Sequence, residues 1–285
     1  MARELRRLLI APERLAAAGV SLVLEPAEAH YLGRVLRTRS GERVALVDGC
    51  GGLWTARLVE PSRLELEQPA ASPLQRQPPA SPRLQLALAV PRREPELVWR
   101  MATELGVDQL QPLQAERCVV AGRWPVARWR TIVTEAVEQC ERLWAPELRE
   151  PVAAQAFLGG PGWAAAPPAD GTWPGGISAG AIDDPVDATT KPCLGLLATT
   201  RRSGLPLLAA LLREFPHPGA PDLCVAIGPE GGWSPAEEAT ALAAGWQPVS
   251  LGPSILRTST AALAGLADLV SWRNLSSPSF PAPSP

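Results

Sequence analysis

The sequence predicts an α/β fold with a mostly parallel sheet, preceded by a small β-barrel module. Two observations carry this. From Leu84 onward, short apolar runs alternate with segments of helical period, as strands joined by crossover helices do. Before that, residues 1–70 hold short strand-like runs separated by turn signals. Between them, residues 71–82 are rich in Pro, Ala, Ser and Gln and read as a linker. The expected division is therefore a barrel at 1–70, a linker at 71–82, an α/β domain at 83–273 and a Ser/Pro-rich disordered tail at 274–285.

In the first module the expected strands are Leu8–Ile10, Ser21–Leu24, Arg43–Val47, Leu53–Leu58 and Arg63–Leu66. Asp48-Gly49-Cys50-Gly51-Gly52 supplies a hairpin loop between two of them. One helix interrupts, from Pro26 to Leu36, with Ala29, Leu32, Val35 and Leu36 as its apolar stripe. The α/β domain opens with the continuous apolar run Leu84–Val90. A helix at 94–105 follows, stopped by Gly106, and then a strand at Val107–Leu113. Pro125 opens a long helix whose apolar positions run from Val126 to Leu143. Strands Leu194–Ala198, Leu223–Ile227 and Gln247–Leu251 then alternate with helices at 203–214, 234–244 and 258–271. Residues 158–192, rich in Gly, Pro and Ala, read as a surface excursion.

Bulk properties exclude several classes. With 27 Lys and Arg against 29 Asp and Glu the net charge is −2, so no global basic field announces nucleic acid. Five scattered cysteines without C-x-x-C spacing, and two histidines, argue against a zinc site or a disulfide framework and suit a reducing cytoplasm. No apolar run approaches the roughly 20 residues that span a bilayer. The sequence thus predicts a cytoplasmic protein that uses no metal and no membrane.

The chemistry concentrates at two strand-to-helix junctions. VAIGPEGGWSPAEE (225–238) passes from a buried strand through Gly228-Pro229-Glu230-Gly231-Gly232 to a helix capped by Ser234, with Glu237 placed to close a capping box. No phosphate loop fits, since the only lysine is Lys191, and the glycines miss the dinucleotide spacing. Taken alone, the stretch also fits a tight turn with an exposed glutamate. SLGPSILRTSTAAL (250–263) repeats the strand–glycine loop–helix arrangement, and neighbouring loops at one sheet edge can wall a single pocket. On the helix of TEAVEQCERL (134–143), spacing puts Glu135, Gln139 and Arg142 on one stripe and pairs Glu138 with Arg142 on a solvated face. HYLGRVLRTRSGER (30–43) holds four arginines against a single acid, a candidate RNA contact beside the barrel.

These motifs together resemble the ribosomal small-subunit methyltransferase E family of the SPOUT class. ATELGVDQLQPL, ERCVV, EAVEQCER, IGPEGGWSPAEE and SLGPSILRTSTAAL fall in the family's order, as do RRLLI, EAHYLGRVLRTRSGE and VALVDGCGG in the barrel. The resemblance implies a PUA-like barrel followed by a trefoil-knot domain, acting as a homodimer. The implied reaction is methyl transfer from S-adenosylmethionine to N3 of one uridine in 16S ribosomal RNA of the small subunit. It implies a cofactor site made of Leu197, Thr199, Gly228, Gly231, Gly232, Leu251, Gly252 and Leu256. Arg257 is the candidate for stabilising charge on the base, and Glu230 for orienting the base or taking its proton. Arg7, His30, Arg34 and Arg37 of the barrel, with Gln139 and Arg142 of the second domain, are the candidate RNA contacts. Two departures stand out: Ser259 replaces a glutamate usual in the family, and Arg92 follows Val90-Pro91 where lysine is frequent. The absent glutamate keeps a second class open, a non-catalytic RNA-binding or assembly protein on the same fold. A third reading is an enzyme of the class acting on another RNA.

Overall fold

The computed structural model describes residues 5–118, 124–160, 193–200, 202–215 and 220–275. The chain forms two compact units, one of residues 1–80 with 131–146, the other of residues 81–130 with 147–285.

In the first unit, β1 (Arg7–Leu9), α1 (Pro12–Ala17), β2 (Ser21–Val23), α2 (Pro26–His30), β3 (Arg43–Val47), β4 (Gly52–Glu60), β5 (Arg63–Leu66) and β6 (Gln75–Arg76) follow in order. The sheet runs β1-β3-β4-β5-β2, with β6 added against β4. Alternation along β5 puts Leu64 and Leu66 inside and Arg63 and Glu65 outside, as a half-buried strand requires. Leu8, Ile10, Leu22, Leu32, Val44, Leu46 and Trp54 fill the core. The expected helix from Pro26 to Leu36 is present but not regular. After His30 it widens into a π-turn at Tyr31–Val35, where the Leu36 N–H donates to the Tyr31 carbonyl at 2.9 Å. Helix α1 and strand β6 have no counterpart in the sequence reading, and β6 lies within the stretch expected as a linker.

The second unit begins with β7 (Leu84–Ala89), α3 (Pro95–Leu105) and β8 (Gln109–Gln114), then α4 (Val126–Gln139), whose residues from 131 onward count with the first unit, β9 (Glu147–Leu148), β10 (Val152–Ala153) and α5 (Ala154–Leu158). From residue 193 onward come β11 (Cys193–Ala198), α6 (Leu208–Arg213), β12 (Asp222–Ile227), α7 (Pro235–Ala243), β13 (Gln247–Val249) and α8 (Thr258–Leu275). The sheet order is β10-β8-β7-β12-β11-β13, with β9 also on β8, and every pairing is parallel. All six residues of β7 are buried, which explains an apolar run broken only by Gln85. Gly195 on β11 lets the Trp246 ring lie flush, since a Cβ there would come within 2.5 Å of it. Helix α8 runs further than expected. Arg273 near its end is buried, pairs with Asp108, and donates to the Gly106 carbonyl at 2.8 Å. Of the expected 158–192 excursion, residues 161–192 lie outside the described residues, as do residues 276–285 of the expected tail.

The charged face expected on α4 differs in detail. The helix stops at Gln139, and Glu141 turns left-handed with φ 63°. Arg142 therefore leaves the helical stripe it was expected to share with Glu135 and Gln139. Glu138 is buried, and its Oε1 accepts the Leu9 N–H at 2.8 Å. An edge-strand donor thus takes the place of the solvated i,i+4 partner.

Candidate active site

Strands β11, β12 and β13 end side by side, with Ala198 in register with Ile227 on one side and Val249 on the other. A cleft opens just past these carboxyl ends, where parallel sheets bind ligands. Three segments wall it. They are Ala198–Thr200 after β11, Ile227–Trp233 after β12, and Leu251–Thr258 with Ala261 at the start of α8.

Each wall is fixed by its own bonds. The turn 229–232 closes through the Gly232 N–H and the Pro229 carbonyl at 2.8 Å, with Gly232 at φ 69°. Behind it the Trp233 ring is buried and its Nε1 donates to the Ala198 carbonyl at 3.1 Å, tying the second wall to the first. Gly228 faces that ring, and a Cβ there would stand 3.1 Å from it. The Gly228 carbonyl accepts from Thr258 Oγ1 at 3.2 Å, joining the second wall to the third. The third wall bends at Gly252, whose φ of 140° suits glycine and whose N–H donates to Ser250 Oγ at 3.2 Å. Thr199 Oγ1 donates to Glu238, while its N–H reaches the Val249 carbonyl at 3.1 Å. Helix α7 begins as the sequence predicts. Ser234 Oγ accepts the Glu237 N–H at 3.2 Å, and Glu237 Oε2 accepts the Ser234 N–H at 2.8 Å.

The structure brings Thr199, Gly228, Glu230, Gly232, Leu251, Gly252 and Leu256 to the lining of this one cleft. Leu197 is wholly buried in the core one residue before the wall, and Ala198 lines the cleft in its place. Gly231 faces Arg117, with the position of a Cβ 3.2 Å from the Arg117 Cβ. Arg257 is exposed at the entry to α8, and its carbonyl accepts the Ala261 N–H. Glu230 is exposed, and its Oε1 accepts the Arg92 N–H at 3.3 Å. Sequence reasoning missed Thr200, Trp233, Ala261 and Thr258 in the lining. The S/T-rich helix start at 258 was a usable signal for the last of these.

In the first unit, Arg34 and Arg37 are exposed and make no ion pair among the described residues, and His30 is exposed at the end of α2. Arg7 is different: its guanidinium holds Glu141 through both carboxylate and carbonyl. Gln139 is exposed at the end of α4, and it and Arg142 count with this first unit, not with the second as expected.

The walls are apolar at Ile227, Trp233, Leu251, Leu256 and Ala261, with hydroxyls at Thr199, Thr200 and Ser254 and a carboxylate at Glu230. Such a site takes an aromatic base edge-on to backbone groups and tolerates a cation nearby. A family profile described as an RNA methyltransferase domain matches residues 78–161 and 194–270, and one described as an RNA methyltransferase PUA domain matches 24–67. Fold and cleft together define the class, an RNA methyltransferase of the SPOUT type. A curated relative from Synechocystis, a ribosomal RNA small subunit methyltransferase E, is 36% identical over 92% of this chain and 76% of its own. A relative of the same name from Mycobacterium bovis is 30% identical over 89% of this chain and 87% of its own. The chain belongs to the ribosomal RNA small subunit methyltransferase E family. A solved structure of a Neisseria gonorrhoeae member, bound to S-adenosyl methionine, matches with TM-score 0.69 and 28% identity, covering 94% of this chain and 98% of that one.

Proposed function

We propose that this chain transfers a methyl group from S-adenosylmethionine to N3 of a uridine in 16S ribosomal RNA. The observation that carries the reading is the single cleft at three adjacent strand ends, lined by two glycine loops and free of any phosphate-binding signature. Its residues fit the cofactor. Gly228 and Gly252 would let the backbone approach the adenine, Leu251 and Leu256 would supply apolar cover, and the Glu230 carboxylate would suit a sulfonium. When bound, the cofactor supplies an electrophilic methyl group.

The chain's own residues do the rest. Uridine N3 is a weak acid, so the site must take its proton and steady the charge left on the base. Glu230, exposed at the cleft and accepting the Arg92 N–H, is the group assigned to orient the base or accept that proton. Arg257, exposed beside the third wall, is assigned the developing negative charge. The cleft must also fix N3 in line with the transferred methyl, a positioning effect that the three bonded walls supply. The exposed Arg34 and Arg37 give the first unit a phosphate-facing surface. A base held within an RNA stack would be unstacked to reach the cleft. By its family resemblance the chain is read as a homodimer, which sedimentation equilibrium of the full chain tests, and by its scattered cysteines as cytoplasmic.

Nucleoside mass spectrometry of 16S RNA from a strain lacking this chain tests the assignment. Loss of N3-methyluridine, restored by the wild-type gene, supports it; an unchanged level refutes it. Glu230→Gln is expected to lower kcat at least tenfold, measured at saturating S-adenosylmethionine so that any loss of cofactor affinity at this lining residue is separated from the chemical step. Equal kcat for the variant removes Glu230 from the reaction.

A further inference from the structure

The tripeptide Glu116-Arg117-Cys118 follows β8 and has no part in the function argued so far, yet its bonds converge on the glycine turn. The Glu116 N–H donates to Glu237 Oε1 at 2.8 Å, while Oε2 of the same buried carboxylate accepts the Ser234 N–H at 2.8 Å. One carboxylate thereby ties this loop to the start of α7. Arg117 Nη1 donates to two carbonyls of the turn, Gly231 at 3.2 Å and Trp233 at 3.0 Å. The Arg117 stem packs on Gly231, which has room for no Cβ without displacing it.

The turn needs such an outside hold. Three of its five residues from Gly228 to Gly232 are glycines, whose backbone is the freest of any residue, and Gly232 sits at φ 69°. Hydrogen bonds from a charged donor are about twice as strong as neutral ones, so two of them on carbonyls that flank Gly232 constrain the turn strongly. Arg117 makes no ion pair with a carboxylate among the described residues, so these carbonyls are its bonded partners there.

We infer that Arg117 is a positioning residue that clamps the 228–233 turn in the shape that receives the cofactor. The inference rests on reading the cleft as the S-adenosylmethionine site. It acts through the carbonyls of Gly231, which does not line the cleft, and of Trp233, which does.

Arg117→Met keeps the packed stem and deletes the donors, and Arg117→Lys restores a cationic donor. Calorimetric titration of the full-length variants with S-adenosylmethionine, together with kcat and KM for cofactor and RNA, tests the clamp. Arg117→Met is expected to weaken cofactor binding about tenfold or more. The cofactor KM rises with it, while kcat at saturating cofactor and the RNA affinity stay near wild type. Arg117→Lys is expected to recover most of the loss, which a residue that merely filled space would not do. Wild-type cofactor affinity in Arg117→Met overturns the clamp. So does a variant whose only defect is weaker RNA binding with a salt slope reduced by about one, which would make Arg117 a phosphate contact. A folded wild-type protein that binds no S-adenosylmethionine overturns the reading of the cleft itself, a result separate from any difference between the variants.

Discussion

Glu138 makes the stability of the first unit depend on pH in a direction opposite to that of an ordinary salt-bridged carboxylate. Burial pushes its carboxyl from the usual 4.5 up to about 7, with Glu135 and Glu28 adding repulsion and the Leu9 N–H opposing the rise. The folded value lies above the unfolded one, so between about 4.5 and 7 the folded state holds more protons and loses stability as pH rises. At about 1.4 kcal/mol per pH unit, the cost of holding the ionised group above pH 7 is on the order of 3 kcal/mol. Glu138→Gln retains an oxygen for the Leu9 N–H and removes the charge. Its advantage is expected to be largest at pH 8, about 6 °C or more in melting temperature. At pH 5 the gap shrinks to below about 1 kcal/mol, because the folded carboxyl is then protonated in the wild type as well. Differential scanning calorimetry of both full-length proteins from pH 5 to pH 8 measures this. A variant that melts below the wild type at pH 8, or a gap that does not widen with pH, refutes the argument.

Gly195→Ala drives a methyl group to within 2.5 Å of the buried Trp246 ring and is expected to cost about 1–3 kcal/mol in urea denaturation. Asp108→Ala removes the carboxylate paired with the Arg273 guanidinium, whose side chain is only 10% exposed, and is expected to cost about 3–5 kcal/mol by the same measurement. Cofactor at ~100 times its dissociation constant is expected to stabilise the wild type by about 2.7 kcal/mol. Gly228→Val, whose added Cβ lies 3.1 Å from the Trp233 ring, should abolish that melting shift, and an equal shift in both proteins would clear Gly228 of any part in the site.

Much of the fold was legible because its signals are local. Arg43–Val47 and Arg63–Leu66 are strands at the very residues that the apolar pattern marks, and Ser234 with Glu237 forms the capping box their spacing predicts. The two glycine loops could be placed on one cleft because both leave strands of one parallel sheet. What stayed hidden depends on partners far away in the chain. Glu138 carries the spacing of a solvated helix face, and only the Leu9 N–H, 129 positions away, makes it a buried acceptor. Arg117 looks like one more surface arginine until its loop meets Gly231 and Trp233. Helix α1, six residues long, and the two-residue strands β6, β9 and β10 are too short for periodicity to mark. Leu197 and Ala198 alternate across a strand, and the alternation alone does not say which of the two ends at the cleft.

The widened turn at Tyr31–Val35 amounts to one residue too many in a helix that began regularly at Pro26. Gly33 is exposed, with open space where a side chain would be, so it can be removed without leaving a hole. Excising it would rewind the segment into a uniform spiral, anchored upstream by the fully buried Leu32. The widened turn holds its extra residue within a single loop of the spiral, so the residues beyond Val35 would keep nearly the side of the helix on which they now stand. Arg37 would keep nearly its present aim, and every charge in the chain would be kept. A single-codon deletion is thus a way to ask whether the bulge itself, apart from the cations it carries, serves the first unit.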